Sequence, residues 1–194
     1  GLDVEVDYLY LLKTRKMKNL IYPMLASVLL VTSAFMSTST QEWKIASNYS
    51  IKFISKDPTG IFKVFKGTIK YDEKDLAGSK FDLSIDVSSI STGNGMMNKK
   101  AQIDEWFSAE KFPQITFVSS KIEKTEKGVS IYGDLKIKGT SKPTKINATV
   151  TGSGDRMSFE GTFNVKRSDF KVGHKSETVP DIMKIEFEVP VTKK

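Results

Sequence analysis

The sequence predicts an all-β protein, an antiparallel sandwich or barrel of about eight strands with one short helix. Three observations lead there. From residue 42 onward apolar and polar residues alternate with period two, the mark of strands with one buried face. Short turn-forming runs separate the alternating segments, so neighbours in sequence can pair antiparallel. No stretch shows the alternating strand and helix blocks of a parallel sheet.

The clearest strands follow in order. Phe81, Leu83, Ile85 and Val87 alternate with Asp82, Ser84, Asp86 and Ser88. Val129, Ile131, Gly133, Leu135, Ile137 and Gly139 do the same, as do Met157, Phe159, Gly161, Phe163 and Val165, then Ile185, Phe187, Val189 and Val191. Weaker alternation marks 51–53, 65–71, 115–117 and 146–150. Turn signals stand at Asp57-Pro58-Thr59-Gly60, Ala77-Gly78-Ser79, Glu126-Lys127-Gly128, Thr140-Ser141-Lys142-Pro143 and Gly152-Ser153-Gly154-Asp155. The helix is expected over 98–109, where Ala101, Ile103, Trp106 and Phe107 share a face and Pro113 ends the run.

Composition narrows the chemistry. A chain with 27% charged and 39% hydrophobic residues has an ordinary globular balance, which argues against disorder of the whole. The absence of cysteine removes disulfides, thiolate nucleophiles, thiolate metal sites and a lipid-modified cysteine. Arg15, Arg156 and Arg167 are the only arginines among 30 basic residues. Readers of bases and phosphates favour the arginine fork. A net charge of +7 carried by lysine instead fits solubility and a weak attraction to anionic membrane surfaces, and not nucleic-acid binding.

No catalytic constellation is legible. His174 is the single histidine and sits in a Lys- and Ser-rich stretch; the nearby Ser176 and Asp181 have no meaningful spacing to it. Asp104, Glu105 and Glu110 fall in the expected helix, where solvated carboxylates are the default. No phosphate loop, zinc-protease helix or nucleophile elbow is present, so no enzyme activity is expected.

The inward-facing positions carry more information. Glycines Gly67, Gly133, Gly139 and Gly161 fall on the buried face, among Phe53, Phe65, Phe81, Phe117, Phe159, Phe163 and Phe187, with Leu83 and Leu135. Strand glycines admit either a sharp bend or close approach of a ligand. Alternation alone leaves a filled core and a ligand cavity both open. A ligand in such a lining must be apolar. Lys166-Arg167-Ser168-Asp169 breaks the alternation, and Arg167 either pairs Asp169 or meets a polar head group at a mouth.

The first forty residues stand apart. Lys13, Arg15, Lys16 and Lys18 precede the uncharged run 20–31, followed by small Thr32, Ser33 and Ala34. This order reads as a secretory signal, with cleavage expected after Ala34 or as late as before Gln41. A membrane anchor wants about 20 apolar residues; the run here is interrupted by Pro23, Ser27, Thr32 and Ser33. The expected organisation is an upstream extension of uncertain status over 1–16, a signal peptide over 17–40 starting at Met17, and one domain over 41–194, delivered to the periplasm or secreted.

Several blocks of the mature chain resemble the YceI-like family of bacterial exported proteins. They are the opening strand from Trp43 through Phe53, Ser89-Ile90-Ser91-Thr92-Gly93, the run from Trp106 through Phe112-Pro113 to Phe117, the hairpin from Tyr132-Gly133-Asp134-Leu135 to Pro143, and Asn164-Val165-Lys166-Arg167-Ser168-Asp169-Phe170. The resemblance departs at Met97-Asn98-Lys99-Lys100-Ala101 and at Lys171, both expected near the entrance. It implies an eight-stranded lipocalin-like antiparallel barrel with one helix, which in some members of the family holds an isoprenoid chain in the lumen; the ligand expected here is an isoprenoid lipid or quinone, with no other cofactor. The lining expected to touch that chain is Phe53, Phe65, Phe81, Leu83, Phe117, Gly133, Leu135, Phe159, Gly161, Phe163, Arg167 and Phe187. The alternative is a filled barrel acting as an interaction or stress-protective module of the cell envelope. For Arg167 the resemblance favours the pair with Asp169, because the matching run lies near a turn and turns use such pairs.

Overall fold

The computed structural model describes residues 40–175 and 178–194. The expected extension and the expected signal peptide, apart from Thr40, lie outside the described residues, as does Ser176. Eight strands pair antiparallel around a closed ring: β1 (Glu42–Ile45), β4 (Phe65–Lys70), β5 (Lys80–Asp86), β7 (Gln114–Lys124), β8 (Gly128–Ile137), β9 (Thr140–Ser153), β10 (Arg156–Lys166) and β11 (Ile182–Lys193), which returns to β1. Three short strands, β2 (Ser50–Ile54), β3 (Gly60–Phe62) and β6 (Ile90–Ser91), extend the ring at one end.

Three walls of the barrel are broken. β11 pairs with β1 at Ile45↔Val191 and with β2 at Ser50↔Glu188, so the first wall is one strand interrupted at 46–49. β3 and β4 are parted by Lys63 and Val64, and β5 and β6 by a 3₁₀ turn over Val87–Ser89. Asp86 starts that turn by accepting a hydrogen bond from the Ser88 N–H at 2.9 Å. β6 pairs only with β3, which leaves an edge toward β7.

Helix α1 (Gly95–Gln102) packs on β6 and covers this edge. It starts earlier and ends sooner than the expected 98–109. Asn94 is the reason for the start: its side-chain oxygen accepts from the N–H groups of Met96 (2.9 Å) and Met97 (3.2 Å), which caps the first turn. Beyond Gln102 the chain turns, with Ser108 at φ 51°, and Ser108 Oγ donates to Asp104 at 2.6 Å. Trp106 and Phe107 pack inward from this turn, while Ile103 is exposed.

One end of the barrel is solid. Trp43, Tyr71, Ile122, Val129 and Val191 are buried there, and the Trp43 Nε1–H donates to the Tyr71 carbonyl at 2.8 Å. The other end is hollow. The sequence left filled core and cavity open; the barrel has both, one at each end.

Candidate functional site: a blind apolar lumen

Two adjoining cavities occupy the barrel axis. The upper one, about 290 Å³, reaches the surface beside Asp57, Lys100 and Thr178. The lower one, about 110 Å³, is lined by hydrocarbon apart from Ser84 and Thr116. Ile51, Ile85, Ile115, Leu135, Phe163 and Ile185 line both and form a waist between them. The upper volume alone sits near the small end of ligand sites, about 300–1,000 Å³.

The register of β10 on β11 orders the site. Phe159 opposite Val189 faces the lower cavity, Phe163 opposite Ile185 stands at the waist, and Val165 opposite Met183 faces the upper cavity. Arg167 follows at the mouth. Alternation by two carries every second side chain of one strand into the lumen, so a single strand marks its whole depth.

Of the residues expected from sequence, Phe53 and Arg167 line the upper cavity, and Phe65, Phe81, Leu83, Phe117, Phe159 and Phe187 the lower; Leu135 and Phe163 line both. Gly133 and Gly161 line neither, which corrects their expected place. A methyl group at Gly161 would stand 2.7 Å from the Phe187 ring and also strike the Asn147 carbonyl; one at Gly133 would stand 2.8 Å from the Phe117 ring and strike the Val118 carbonyl. Each glycine lets a phenylalanine that does line the cavity lie across a neighbouring strand. Gly133 pairs with Ser119 just before the bulge of β7, where Ser119 Oγ accepts from the buried Phe81 N–H at 2.8 Å. Gly139 serves the two-residue hairpin turn from β8 to β9, with Lys138 at φ 48° and Gly139 at φ 75°. Gly67 is exposed.

The mouth is held by two cations that bind backbone. Arg167 is buried, and its Nε, Nη1 and Nη2 donate to the carbonyls of Pro180 (2.9 Å), Val172 (2.6 Å) and Val179 (2.9 Å). The expected pair with Asp169 is absent, and Asp169 is exposed. Asp181 instead accepts from Ser168, at 2.8 Å from the N–H and 2.7 Å from Oγ. The Arg167 guanidinium also lies 5.2 Å from the Trp106 ring centre. Burial lowers the Arg167 pKa from its usual range. Lys138 Nζ donates to the carbonyls of Glu105 (3.2 Å) and Lys171 (2.9 Å), joining the turn after α1 to the one after β10; burial lowers its pKa too. His174 pairs with Glu105 at the surface, outside the lumen lining.

Met97 and Ala101, expected near the entrance, line the upper cavity; sequence reasoning missed Phe170, Val172, Val179 and Met183 there. Phe170 and Val172 had a usable signal: each is a buried apolar residue in a polar connection between strands.

A closed antiparallel barrel whose lumen is apolar, open at one end and stopped at the other, defines the class of lipid-binding barrels. The YceI-like domain model matches residues 37–191, and the chain belongs to the YceI-like family. Protein YceI of Salmonella newport is 31% identical over 187 residues, covering 87% of this chain and 96% of that protein. The crystal structure of BcnA from Burkholderia cenocepacia superposes with a TM-score of 0.73 at 30% identity, over 77% of this chain and all of that one. A polyisoprenoid binding domain from Saccharophagus degradans, implicated in plant cell wall breakdown, shares the fold with a TM-score of 0.59 at 16% identity, over 80% of this chain and 99% of that one.

Proposed function

We propose that this protein is an exported lipid-binding protein that holds a long polyisoprenoid-type chain, such as a quinone or prenyl lipid, in the barrel lumen without transforming it. One observation carries the reading: the two cavities run end to end through an apolar waist, and the charged lining residues stand at the upper cavity. A branched hydrocarbon chain gains by leaving water in proportion to the apolar surface it buries. The Saccharophagus polyisoprenoid binding domain with the same fold supports an isoprenoid ligand.

Loading from a membrane surface belongs to this reading. Met96 on α1 is 80% exposed and Ile103 is 49% exposed, beside Lys99 and Lys100. Apolar tips among lysines suit brief contact with an anionic lipid face. Export rests on the order of charged, apolar and small residues across 13–34.

Two measurements on protein expressed from Met17 test the proposal. Organic extraction of the periplasmic or secreted protein followed by mass spectrometry is expected to find about one isoprenoid per chain, and N-terminal sequencing to start between Phe35 and Glu42. A lipid-free protein with full stability, or an intact Met17 end on cytoplasmic protein, contradicts the corresponding half.

A further inference from the structure

The hollow part of the barrel ends at a floor of three rings. Phe159 meets Phe81 edge to face at 5.2 Å between ring centres and Tyr71 at 5.1 Å, with interplanar angles of 89° and 90°. Tyr71 and Phe81 complete the triangle at 6.5 Å. Phe81 and Phe159 are each 2% exposed and line the lower cavity; Tyr71, at 4%, lies behind them. The Trp43 indole N–H, bonded to the Tyr71 carbonyl, backs the floor from the solid end. Edge-to-face rings prefer this mutual geometry, so the three resist separate displacement.

The distance to this floor is fixed by the register. Phe159 and Arg167 lie on one continuous stretch of chain, and β10 pairs with β11 without a break from Arg156 to Lys166. At about 3.4 Å per residue along a strand tilted about 40°, the lumen is roughly 20 Å deep from mouth to floor. Neither wall can slip, because a slip by one residue would turn every lining side chain outward.

We infer that Phe159, with Phe81 and Tyr71, makes the lumen a ruler that fixes how many units of the bound isoprenoid chain are buried. The inference rests on the lipid-binding reading above. Units between mouth and floor are buried and each adds affinity. A unit beyond that depth stays outside the barrel, in water or at the mouth, and adds little. The Ile-, Leu- and Phe-lined waist is passed by the chain, whereas the floor stops it: the waist side chains border open space on both sides, and the floor rings border it on one.

The test is a series of prenols from geraniol through farnesol, geranylgeraniol, geranylfarnesol and hexaprenol to solanesol and decaprenol, competed pairwise for the delipidated protein and read by native mass spectrometry. Affinity is expected to rise by at least about tenfold for each added unit up to one length, and then to level off. Phe159→Ala is expected to move that length up by one unit, and Phe159→Leu to relax it with less disturbance of the fold. Affinity that climbs steadily to decaprenol in the wild-type protein overturns the ruler and leaves lipid binding standing. So does a levelling length unchanged in a folded Phe159→Leu or Phe159→Ala protein. Failure of every prenol to bind overturns the ruler and the lipid-binding reading together.

Discussion

The Arg167 guanidinium stands 5.2 Å from the centre of the Trp106 ring, and both residues line the mouth of the lumen. The cation is spent on structure: three of its N–H groups hold the carbonyls of Val172, Val179 and Pro180. Lysine has no planar fork and cannot reach all three. Arg167→Lys should therefore cost on the order of 2–4 kcal/mol, from the buried charge-assisted hydrogen bonds lost with the fork. Asp169→Ala should change stability by no more than about 0.5 kcal/mol, as for an exposed side chain. Denaturant unfolding of both variants checks this; equal stability of Arg167→Lys and wild type would show that the fork is dispensable.

Gly161 tests whether a small residue outside the lining shapes the lumen. Its added methyl group in Gly161→Ala must displace the Asn147 carbonyl and the Phe187 ring, which lines the lower cavity. The expected cost is about 1–3 kcal/mol, typical of overpacking, together with less bound lipid. Melting curves and extracted lipid are measured on the same preparation. Unchanged lipid at reduced stability would separate the glycine from the site.

The waist gives a variant aimed at the ligand. Phe163→Trp adds bulk where the two cavities meet, and its backbone pairing with Ile185 is unaffected by the side chain. The barrel should stay folded while affinity for geranylgeraniol drops at least about tenfold, as the buried tail is expelled from the lower cavity. Titration of delipidated protein decides it, with near-wild-type affinity as the contrary result.

The proposed loading step puts α1 against the lipid face. Cosedimentation with phosphatidylglycerol vesicles should exceed that with phosphatidylcholine vesicles, fall with added salt, and weaken in Met96→Ser combined with Lys99→Glu. Indifference to headgroup charge and to both substitutions would remove α1 from the loading step.

Acid should loosen the segment after β10. Hydrogen bonds from Ser168 Oγ and N–H hold the Asp181 pKa below the ordinary aspartate value. A folded-state pKa that is depressed contributes stability fully above the unfolded value, about 3.9, and loses it as pH falls through the lower folded value. Wild type should lose this increment below about pH 4, and Asp181→Asn should lack it at every pH. Parallel melting-temperature profiles for the two proteins would contradict the linkage.

The barrel walls were legible because each has one wet and one dry face, and alternation by two records that directly. The breaks at 46–49 and 63–64 were not, since strand interruption depends on which neighbour each half pairs with. Asn94 was a readable cap; the aromatic pair Trp106 and Phe107 drew the expected helix too far along the chain. The phenylalanine lining was readable for the same reason as the walls. The role of Gly161 was not, because it depends on the ring of Phe187 across the ladder. Nor were the partners of Arg167, which are backbone carbonyls and leave no mark in residue identity.

In the proposed complex an isoprenoid chain fills the lumen with its tail toward Phe159. Isotope-filtered NMR of ¹³C-labelled protein loaded with unlabelled geranylgeraniol reads that placement residue by residue. Expected are contacts from the terminal methyl groups to the side chains of Phe81 and Phe159, from the middle of the chain to Ile85 and Ile185, and from the hydroxyl end to Trp106. Contacts confined to exposed residues such as Met96 and Ile103, with none to Ile85, Phe163 or Ile185, would contradict it.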